Sequence, residues 1–467
     1  MDLGAWSTTQ ETGTEISLPR ASEILVAGVV LAALLLIFFL SPIVRPEILS
    51  PADLLLKSEP WRQTTAPDFE AANSLLSDHV YQMRPYRTFT IASLKAGRIP
   101  LWDPHNYTGA PLLGNGISGV SYPLHLLFLI LPEAPSVLLS AIIRLFIAGA
   151  FAYTFGRFIG LSVLGAGISS LGFVFSGFLI VWLLYPQADV AIWLPALFLA
   201  GEAIVRRPLI SRILMLAVVV WIQFLGGHPE TSLHILSAVT LYVTWRAGMI
   251  FKGERNWRKL GYRLATFVIA LILGTAGAAV QLVPLGGFIL ESATLQERLA
   301  LAPPLWFLPR PRLLAMTALV CPYCFGSHLR GDLPLGVLLG VGNFNELNGG
   351  YVGLVSLVLA SIAITLGPRR GTDLLFLILG GLAFCLAYAI PPVFNLIHAL
   401  PLFRVSANTR SLLLLVFALS VLAGRGTDLL MAAPEARVRR IAKRALTILV
   451  GGMAGVAIVA GCLLSRS

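Results

Sequence analysis

The sequence predicts an all-α integral membrane protein that crosses the bilayer many times. Of its 467 residues, 57% are hydrophobic and only 12% are charged, and the mean hydropathy is +0.82. A soluble domain carries about a quarter charged residues. Most of this chain is therefore expected to meet lipid rather than water. The second observation is that the charged residues lie between long apolar segments, as they do in membrane proteins.

The net charge of +11 raises the question of nucleic-acid binding. The basic residues are spaced as topology signals, and neither a basic helix nor an aromatic RNA-binding motif accompanies them. We therefore expect no nucleic-acid partner. The first apolar stretch, Ile24–Val44, is about as long as a bilayer is thick and lacks a small-residue cleavage site, so we interpret it as a retained helix.

About eleven stretches have the length and apolar character of a membrane span, which needs ~20 mostly apolar residues. They are Ile24–Val44, Ser136–Gly156, Val163–Tyr185, Val190–Val205, Ile213–Gly226, Ser232–Ile250, Leu264–Leu290, Tyr351–Leu366, Leu374–Ile390, Ser411–Ala423 and Ala445–Leu464. Several are short, so their boundaries can move by a few residues.

The distribution of basic residues predicts the orientation. With the amino terminus in the cytoplasm, the short inner loops carry seventeen Lys and Arg residues, and the short outer turns 186–189 and 227–231 carry none. The basic residues are Arg157, Arg206, Arg207, Arg212, Lys252, Arg255, Arg258, Lys259, Arg263, Arg369, Arg370, Arg425, Arg437, Arg439, Arg440, Lys443 and Arg444. The opposite orientation would reverse this bias.

Three long connections then lie outside, at residues 45–135, 291–350 and 391–410. They are rich in Trp, Tyr, Phe and Pro, a composition that argues against disorder. The apolar stretch Tyr122–Leu131 in the first loop is too short to span, and we expect it to be interfacial or re-entrant. We expect one membrane domain over residues 1–467, with no separate soluble carboxyl-terminal domain.

The first outer loop holds the leading catalytic candidate. Residues 78–95 have the pattern of an amphipathic helix, on which Asp78, Gln82 and Tyr86 share one face. A carboxylate there can accept a proton from an attacking hydroxyl or help to hold a divalent cation. The alternative is a solvated surface acid or a helix cap.

Further polar residues fall on the same predicted face of the membrane. His228 and Glu230 lie in the turn Gly226–Thr231, and Gln187 and Asp189 lie in the neighbouring outer turn. Each alone fits capping or turn chemistry. Their shared location is the stronger indication of a site.

Three arginines are candidates for binding an anion. Arg404 and Arg410 flank a short segment before a membrane helix, where guanidinium groups suit a phosphate or pyrophosphate. The alternative is snorkelling to ordinary lipid headgroups. Arg144 lies near the middle of an apolar helix, where a charge is costly and usually has a partner. If that partner is a buried carboxylate, the role of Arg144 is structural.

The order of motifs resembles that of the YfhO-like membrane proteins of bacteria, which are related to the GT-C class of membrane glycosyltransferases. The matching runs extend over most of the chain. They are Asp78…Gln82…Pro85, Gly97-Arg-Ile-Pro-Leu-Trp102-Asp-Pro104, Gly109-Ala-Pro111, Ser121-Tyr-Pro123, Gly227-His-Pro-Glu230, Gly350-Tyr-Val-Gly353 and Pro401-Leu-Phe-Arg404…Arg410. The family more often has Asn where this chain has Asp103, which makes Asp103 a rival to Asp78.

The resemblance implies a GT-C fold in the bacterial cytoplasmic membrane, with the active face outside. It implies inverting transfer of a sugar from a polyprenyl-phosphate donor to an acceptor glycan or lipid of the cell envelope. Asp78 or Asp103 would be the base, and Arg404, Arg410 or Arg144 would bind the donor phosphate. The substrate-binding candidates are Gln82, Trp102, His228, Glu230 and Tyr351.

Two other function classes fit the same sequence. A flippase or transporter of a lipid-linked saccharide would place its polar groups near the midplane, where only Arg144 clearly lies, and strong internal repeats are not visible. A non-catalytic membrane scaffold explains the fold but not the clustered acid, imidazole and guanidinium groups. Acidic residues near a phosphate suit Mg²⁺ or Mn²⁺, although no ligand spacing requires a metal.

Overall fold

The described part of the chain is almost entirely helical. The computed structural model describes residues 20–45, 47–73, 76–106, 108–301, 306–307, 310–322, 348–366 and 371–434, together with Thr447 and Gly451. Seven helical stretches in these ranges are long and apolar enough to cross a membrane, and four shorter apolar helices accompany them. The chain is thus an all-helical, multi-pass membrane protein.

The helices are numbered here in chain order. They are α1 Ala21–Phe38, α2 Leu40–Val44, α3 Arg84–Lys95, α4 Leu127–Ile130, α5 Glu133–Phe158, α6 Val163–Val174, α7 Gly177–Val181, α8 Pro186–Ala191, α9 Leu194–Arg206, α10 Ile210–Leu225, α11 Pro229–Glu254, α12 Trp257–Gly277, α13 Ala279–Leu290, α14 Ala293–Ala300, α15 Arg310–Ala315, α16 Leu354–Leu366, α17 Gly371–Ala387, α18 Val393–His398, α19 Pro401–Arg404 and α20 Leu412–Met431. A hairpin pairs two strands of two residues each, β1 (Trp102–Asp103) and β2 (Ala110–Pro111), in antiparallel register.

Ten of the eleven predicted stretches coincide with these helices. The last one, Ala445–Leu464, lies outside the described residues apart from two positions, and the number of spans stays a prediction. The apolar stretch Tyr122–Leu131 forms a 3₁₀ turn at Pro123–Leu126 and the single turn α4. It does not span.

Several predicted stretches differ from the helices that form. Val163–Tyr185 comprises α6 and α7, and Ile24–Val44 and Val190–Val205 are each divided between two helices. Leu264–Leu290 is not one helix, because the chain breaks at Ala278 between α12 and α13, next to Gly274 and Gly277, which have low helix propensity. The stretch predicted to end at Ala423 continues as α20 for two more turns. Arg425 therefore lies inside a helix and not in a loop. Asp373 at the start of α17 neutralises it there.

The core is built around five aromatic rings, one from each of five helices. They are Phe155, Phe198, Tyr242, Phe376 and Phe417, all buried, with ring centroids 4.9–6.1 Å apart in the contacting pairs. Because lipid is as apolar as these side chains, close packing rather than exclusion from water holds the helices together. α5, α9, α11, α17 and α20 are therefore the centre of the bundle.

Ion pairs bring several helix ends together at one end of the bundle, which we call the basic end. Arg157, at the end of α5, bonds Glu23 near the start of α1 at 2.6 Å. Glu202 of α9 is fully buried between Arg206 and Arg246 of α11, both at 2.8 Å. The charge pattern assigns one end of each of several helices to the same side of the membrane. These ends lie together in the structure, and the helices are α1, α5, α9, α11, α17 and α20.

The opposite end of the bundle carries residues 47–131 and 391–411, and we call it the loop end. The first of these segments contains 3₁₀ turns at Ala52–Lys57 and Trp61–Thr64, the helix α3 and the hairpin. The second contains α18, α19 and a 3₁₀ turn at Asn408–Ser411. The residues singled out in the sequence can be located against this frame.

Candidate functional site

Asp78 lies at the start of the helical segment of the first loop. The predicted helix over residues 78–95 forms, as a π turn at His79–Met83 followed directly by α3. The Asp78 carboxylate is exposed, and Gln82 Nε2 donates to its Oδ1 at 3.4 Å. The predicted proximity of these two side chains is confirmed, and the carboxylate faces the surface of the loop end.

Two tyrosines fix this segment. Tyr81 Oη donates to the carbonyl oxygen of Leu54 at 2.8 Å, across the preceding turn of the loop. Tyr86 Oη accepts from Asn106 Nδ2 at 3.0 Å, beyond the hairpin strand β1. Because contacts on both sides hold the helix, the folded loop fixes the position of Asp78.

Asp103, the rival acid, has a different environment. It is buried in β1, and its Oδ1 accepts the backbone N–H of His105 at 2.9 Å, so it closes a turn. Trp102 beside it is half exposed and covers Gly109, whose φ of +105° and lack of a side chain let the indole approach. The geometry favours a structural role for Asp103 and leaves Trp102 open to a ligand.

A group of four side chains connects the first and third long loops. The rings of Trp182 and Tyr185 meet edge to face with centroids 5.3 Å apart. The guanidinium carbon of Arg410 lies 4.3 Å from the centre of the Trp182 ring. The Asp78 carboxylate lies within electrostatic range of the Tyr185 hydroxyl. The aromatic pair is thus in contact with the Arg410 guanidinium and near the Asp78 carboxylate.

The predicted arginine pair is divided between two environments. Arg410 is half buried against Trp182, whereas Arg404 is exposed and donates from Nη2 to the carbonyl oxygen of Leu299 at 3.2 Å. Although only a short segment separates the two arginines, their side chains contact different parts of the protein. Arg410 is therefore the better placed of the pair with respect to Asp78.

Arg144 has a buried carboxylate as its partner. Its Nε and Nη2 donate to the two carboxylate oxygens of Asp189 at 2.7 and 3.0 Å, and its Nη1 donates to Ser140 Oγ at 3.2 Å. Both charged side chains are almost fully buried. Because the guanidinium fork is occupied, the structural alternative for Arg144 is the one that the geometry favours.

Asp189 also contacts the first loop. Tyr122 Oη donates to the backbone oxygen of Asp189 at 3.1 Å and accepts from Trp193 Nε1 at 3.2 Å, while His125 Nε2 lies 3.7 Å from Asp189 Oδ2. Asp189 and Gln187 were predicted in an outer turn. They lie in the short helix α8, where both are buried and Arg144 neutralises the acid.

Glu230 joins three segments of the loop end. Its carboxylate pairs with Arg298 of α14 and accepts the backbone N–H of Ala407 at 3.1 Å. Arg298 also donates to the carbonyl oxygen of Val405 at 2.6 Å. Glu230 therefore positions the segment that carries Arg404 and Arg410, and its carboxylate is occupied by these contacts.

His228 caps α11. Its Nδ1 accepts the backbone N–H of Thr231 at 3.2 Å, as an N-cap residue does. Burial lowers the pKa of His228 to about 4, although the nearby negative charge of Glu230 opposes this shift. The imidazole is thus neutral near pH 7 and serves as an acceptor, which confirms the capping interpretation for this residue.

Tyr351 contributes its backbone to this end of the bundle. Its carbonyl oxygen accepts the N–H of Gly177 at 2.6 Å, at the start of α7, and its side chain is half buried. A side chain at Gly177 would collide with the carbonyl oxygen of Asn348. The segment 348–351 therefore packs directly on the helix that leads to Trp182.

The described residues contain no group of three His, Cys, Asp or Glu side chains that could hold a metal ion.

The structure adds three residues that the sequence did not single out: Trp182, Tyr185 and Arg298. Trp182 and Tyr185 end an apolar stretch, and aromatic residues are common at membrane interfaces. Arg298 lies in the second long loop without a motif around it. The signal for the two rings was present but unspecific, and no local signal pointed to Arg298.

Comparison of the chain with known protein families, with characterised proteins and with solved structures finds no match. The fold and the site together define a multi-pass helical membrane protein in which an acid, an aromatic pair and an arginine lie near one another at the loop end of the bundle.

Proposed function

We propose that the chain is a membrane glycosyltransferase that takes a sugar from a polyprenyl-phosphate donor and transfers it with inversion to a cell-envelope glycan or lipid. The observation that carries the proposal is the group Asp78, Tyr185, Trp182 and Arg410. A solvent-facing carboxylate near two aromatic rings, with a guanidinium over one of them, suits a base, a sugar platform and a phosphate partner. The motif resemblance to YfhO-like proteins supports the same reaction.

In the proposed reaction, an acceptor hydroxyl attacks the anomeric carbon of the sugar. Its proton passes to the Asp78 carboxylate as the new carbon–oxygen bond forms. The bond between the anomeric carbon and the phosphate oxygen breaks on the opposite face, and polyprenyl phosphate leaves. Arg410 stabilises the negative charge that develops on the departing phosphate.

The other candidate residues take supporting parts in this proposal. Gln82 orients the Asp78 carboxylate, and the half-exposed Trp102 is open to the acceptor. Arg404 is exposed at the loop end and suits the headgroup of the lipid donor. The remaining candidates hold the backbone around the site: His228, Glu230, Tyr351, Asp103 and Arg144.

The proposed location is the bacterial cytoplasmic membrane, with the amino terminus in the cytoplasm. The basic end then faces the cytoplasm and the loop end faces outward, as the excess of Arg and Lys at one end predicts. A polyprenyl-linked sugar presented on the outer leaflet would reach the loop end directly.

The direct test is sugar transfer by the purified protein in detergent. Polyprenyl-phosphate sugars are offered together with a cell-envelope extract as the acceptor. Asp78→Asn is expected to lower the rate by ~10²–10⁴-fold, the usual contribution of a positioned base. Asp68→Asn, an exposed acid in the same loop, is the matched control and should retain the wild-type rate.

Two further variants sharpen the assignment. Arg410→Lys keeps the charge but loses the bidentate fork, so its rate should fall less than that of Arg410→Gln. Asp103→Asn tests the rival acid. Full activity of Asp78→Asn together with loss of activity in a folded Asp103→Asn protein would transfer the role of base to Asp103.

The alternative is a flippase for a lipid-linked saccharide. The observation that favours it is the buried ion pair of Arg144 and Asp189, since charges inside membrane bundles often mark transport paths. Translocation of a fluorescent polyprenyl-linked sugar in proteoliposomes, without chemical change to the lipid, would support this alternative and contradict the transferase.

A further inference from the structure

The helix α3 turns a polar face toward the protein interior. Arg87 and Thr90 are 9% and 3% exposed, and His79 in the preceding π turn is 2% exposed. The spacing of these residues places them along one side of the helical segment. A surface helix normally buries an apolar stripe. The buried face of α3 therefore needs an explanation.

These buried groups lack hydrogen-bond partners within the part of the chain that the structure describes. Both ring nitrogens of His79, Nε of Arg87 and Oγ1 of Thr90 are buried without one. Native proteins leave few such groups, and each has a reason, often a ligand. Arg87 and Thr90 lie one turn apart on the same face of α3, which indicates a shared ligand, whereas His79 lies ~15 Å from Thr90 along the helical segment.

Among the described residues around this face, Arg87 is the cation without an ion pair. Arg144 is paired with Asp189, and Arg84 on the outer flank of α3 is paired with Glu133 at 2.8 Å. The guanidinium of Arg87 instead lies over the Phe128 ring, 4.4 Å from its centre. The local excess of positive charge belongs to Arg87.

Neighbouring charges also fix the state of His79. Burial and the positive charges of Arg87, Arg144 and Arg84 lower the pKa of His79 to about 4. The ring is therefore neutral near pH 7 and adds no positive charge to this face.

We propose that this face of α3 binds a phosphate group, with the Arg87 guanidinium as the main partner and Thr90 Oγ1, one turn further along the helix, as a second donor. Phosphate oxygens only accept hydrogen bonds, and guanidinium groups bind them in a bidentate manner. α3 lies at the loop end beside α4 and the start of α5. The phosphate is carried by a lipid headgroup or is free in solution. This site does not depend on the proposed sugar transfer.

The test is thermal unfolding of the purified full-length protein in detergent, titrated with inorganic phosphate. A ligand that binds only the folded state raises the unfolding temperature with its concentration. We expect this rise in the wild type and its loss in Arg87→Met. Arg84→Met is the matched control, one turn earlier on the same helix, and should keep the rise.

A second arm identifies the source of the phosphate. Mixed micelles with phosphatidic acid are compared with micelles that contain diacylglycerol of the same acyl chains. A rise with phosphatidic acid alone assigns a lipid headgroup, and a rise with inorganic phosphate assigns free phosphate. An unchanged unfolding temperature with both probes would overturn the proposal.

The ligand-free variant supplies an independent readout. Without phosphate, Arg87→Met should unfold at the same or a higher temperature than the wild type, because it removes an unpaired buried charge. If Arg87→Met does not fold, Thr90→Val removes one donor and keeps the side-chain shape, and should weaken phosphate binding severalfold. Phosphate binding by Arg87→Met or Thr90→Val that equals that of the wild type would place the anion elsewhere.

Discussion

The ion pair between Arg144 and Asp189 shows how much a single residue can decide. A charge inside an apolar helix is unstable without a partner, so the sequence alone indicated that Arg144 has one. The structure identifies Asp189, which also receives Tyr122 from the first loop through its backbone oxygen. One buried pair thus fixes the first loop on the bundle.

Removing one partner of this pair should destabilise the fold. Asp189→Asn leaves the Arg144 guanidinium buried without a counter-charge, and we expect a loss of ~3–5 kcal/mol in the free energy of unfolding. The double variant Arg144→Met with Asp189→Leu removes both charges and should lose less. Chemical unfolding in detergent, followed by near-ultraviolet circular dichroism, measures both. Equal losses in the two variants would contradict an energetic coupling between Arg144 and Asp189.

At the same scale, part of the candidate site was predictable. Asp78 and Gln82 were placed together by helical spacing, and His228 was recognised as a possible cap because such turns often contain one. The grouping of Asp78 and Arg410 near one aromatic pair was not predictable. These residues are far apart in the sequence, and they come near Trp182 and Tyr185 only after the bundle has folded.

At the scale of elements, close approach between helices depends on missing side chains. α20 packs against α6, α16 and α17. A Cβ atom at Gly424 would collide with the carbonyl oxygen of Gly165 and lie 2.9 Å from Leu161 Cδ1. Small residues at such crossings let membrane helices pack tightly, which is the main attraction between helices in lipid.

The crossing of α6 and α20 provides a matched pair of variants. Gly424→Ala should cost ~1–3 kcal/mol because the added methyl overpacks the interface. Gly167→Ala on α6 should be neutral or slightly stabilising, because a Cβ atom there meets nothing within 4 Å and alanine favours a helix. Thermal unfolding of the two purified variants compares them. Equal stability of Gly424→Ala and Gly167→Ala would show that the interface between α6 and α20 accommodates the added methyl group.

Helix existence was more predictable than helix ends. Apolar length identified the stretches, since hydrocarbon thickness sets it. Two helix ends were missed because each depends on a neighbour. The break at Ala278 lies next to Gly274, which packs against Val220. The extension of α20 past Arg425 accompanies the ion pair of Arg425 with Asp373. Local hydropathy does not contain either contact.

At the scale of the whole molecule, the two ends differ in kind. The basic end is closed by ion pairs between helix ends, such as Glu23 with Arg157 and Glu202 with Arg246. The loop end carries the long connections and the side chains of the proposed site. The positive-inside rule assigns the basic end to the cytoplasm.

Labelling of single cysteines tests this orientation. In a chain with its four native cysteines replaced, Lys57→Cys at the loop end and Lys252→Cys at the basic end are both exposed positions. A membrane-impermeant maleimide should modify Lys57→Cys in intact spheroplasts and Lys252→Cys only after permeabilisation. The reverse pattern would place the proposed site in the cytoplasm and rule out an outward-facing donor.

The sequence by itself determined the class of the protein, the approximate helices and the common side of the polar loop residues. Composition and charge spacing carry this information because the bilayer imposes the same length and charge rules on every span. Only the tertiary structure decided which of these polar residues are engaged with one another. It paired Arg144 with Asp189 and Glu230 with Arg298, brought Asp78 and Arg410 near the same aromatic pair, and buried Arg87 without an ion pair among the described residues. Such pairings join residues distant in sequence, and packing alone brings them within reach of a hydrogen bond.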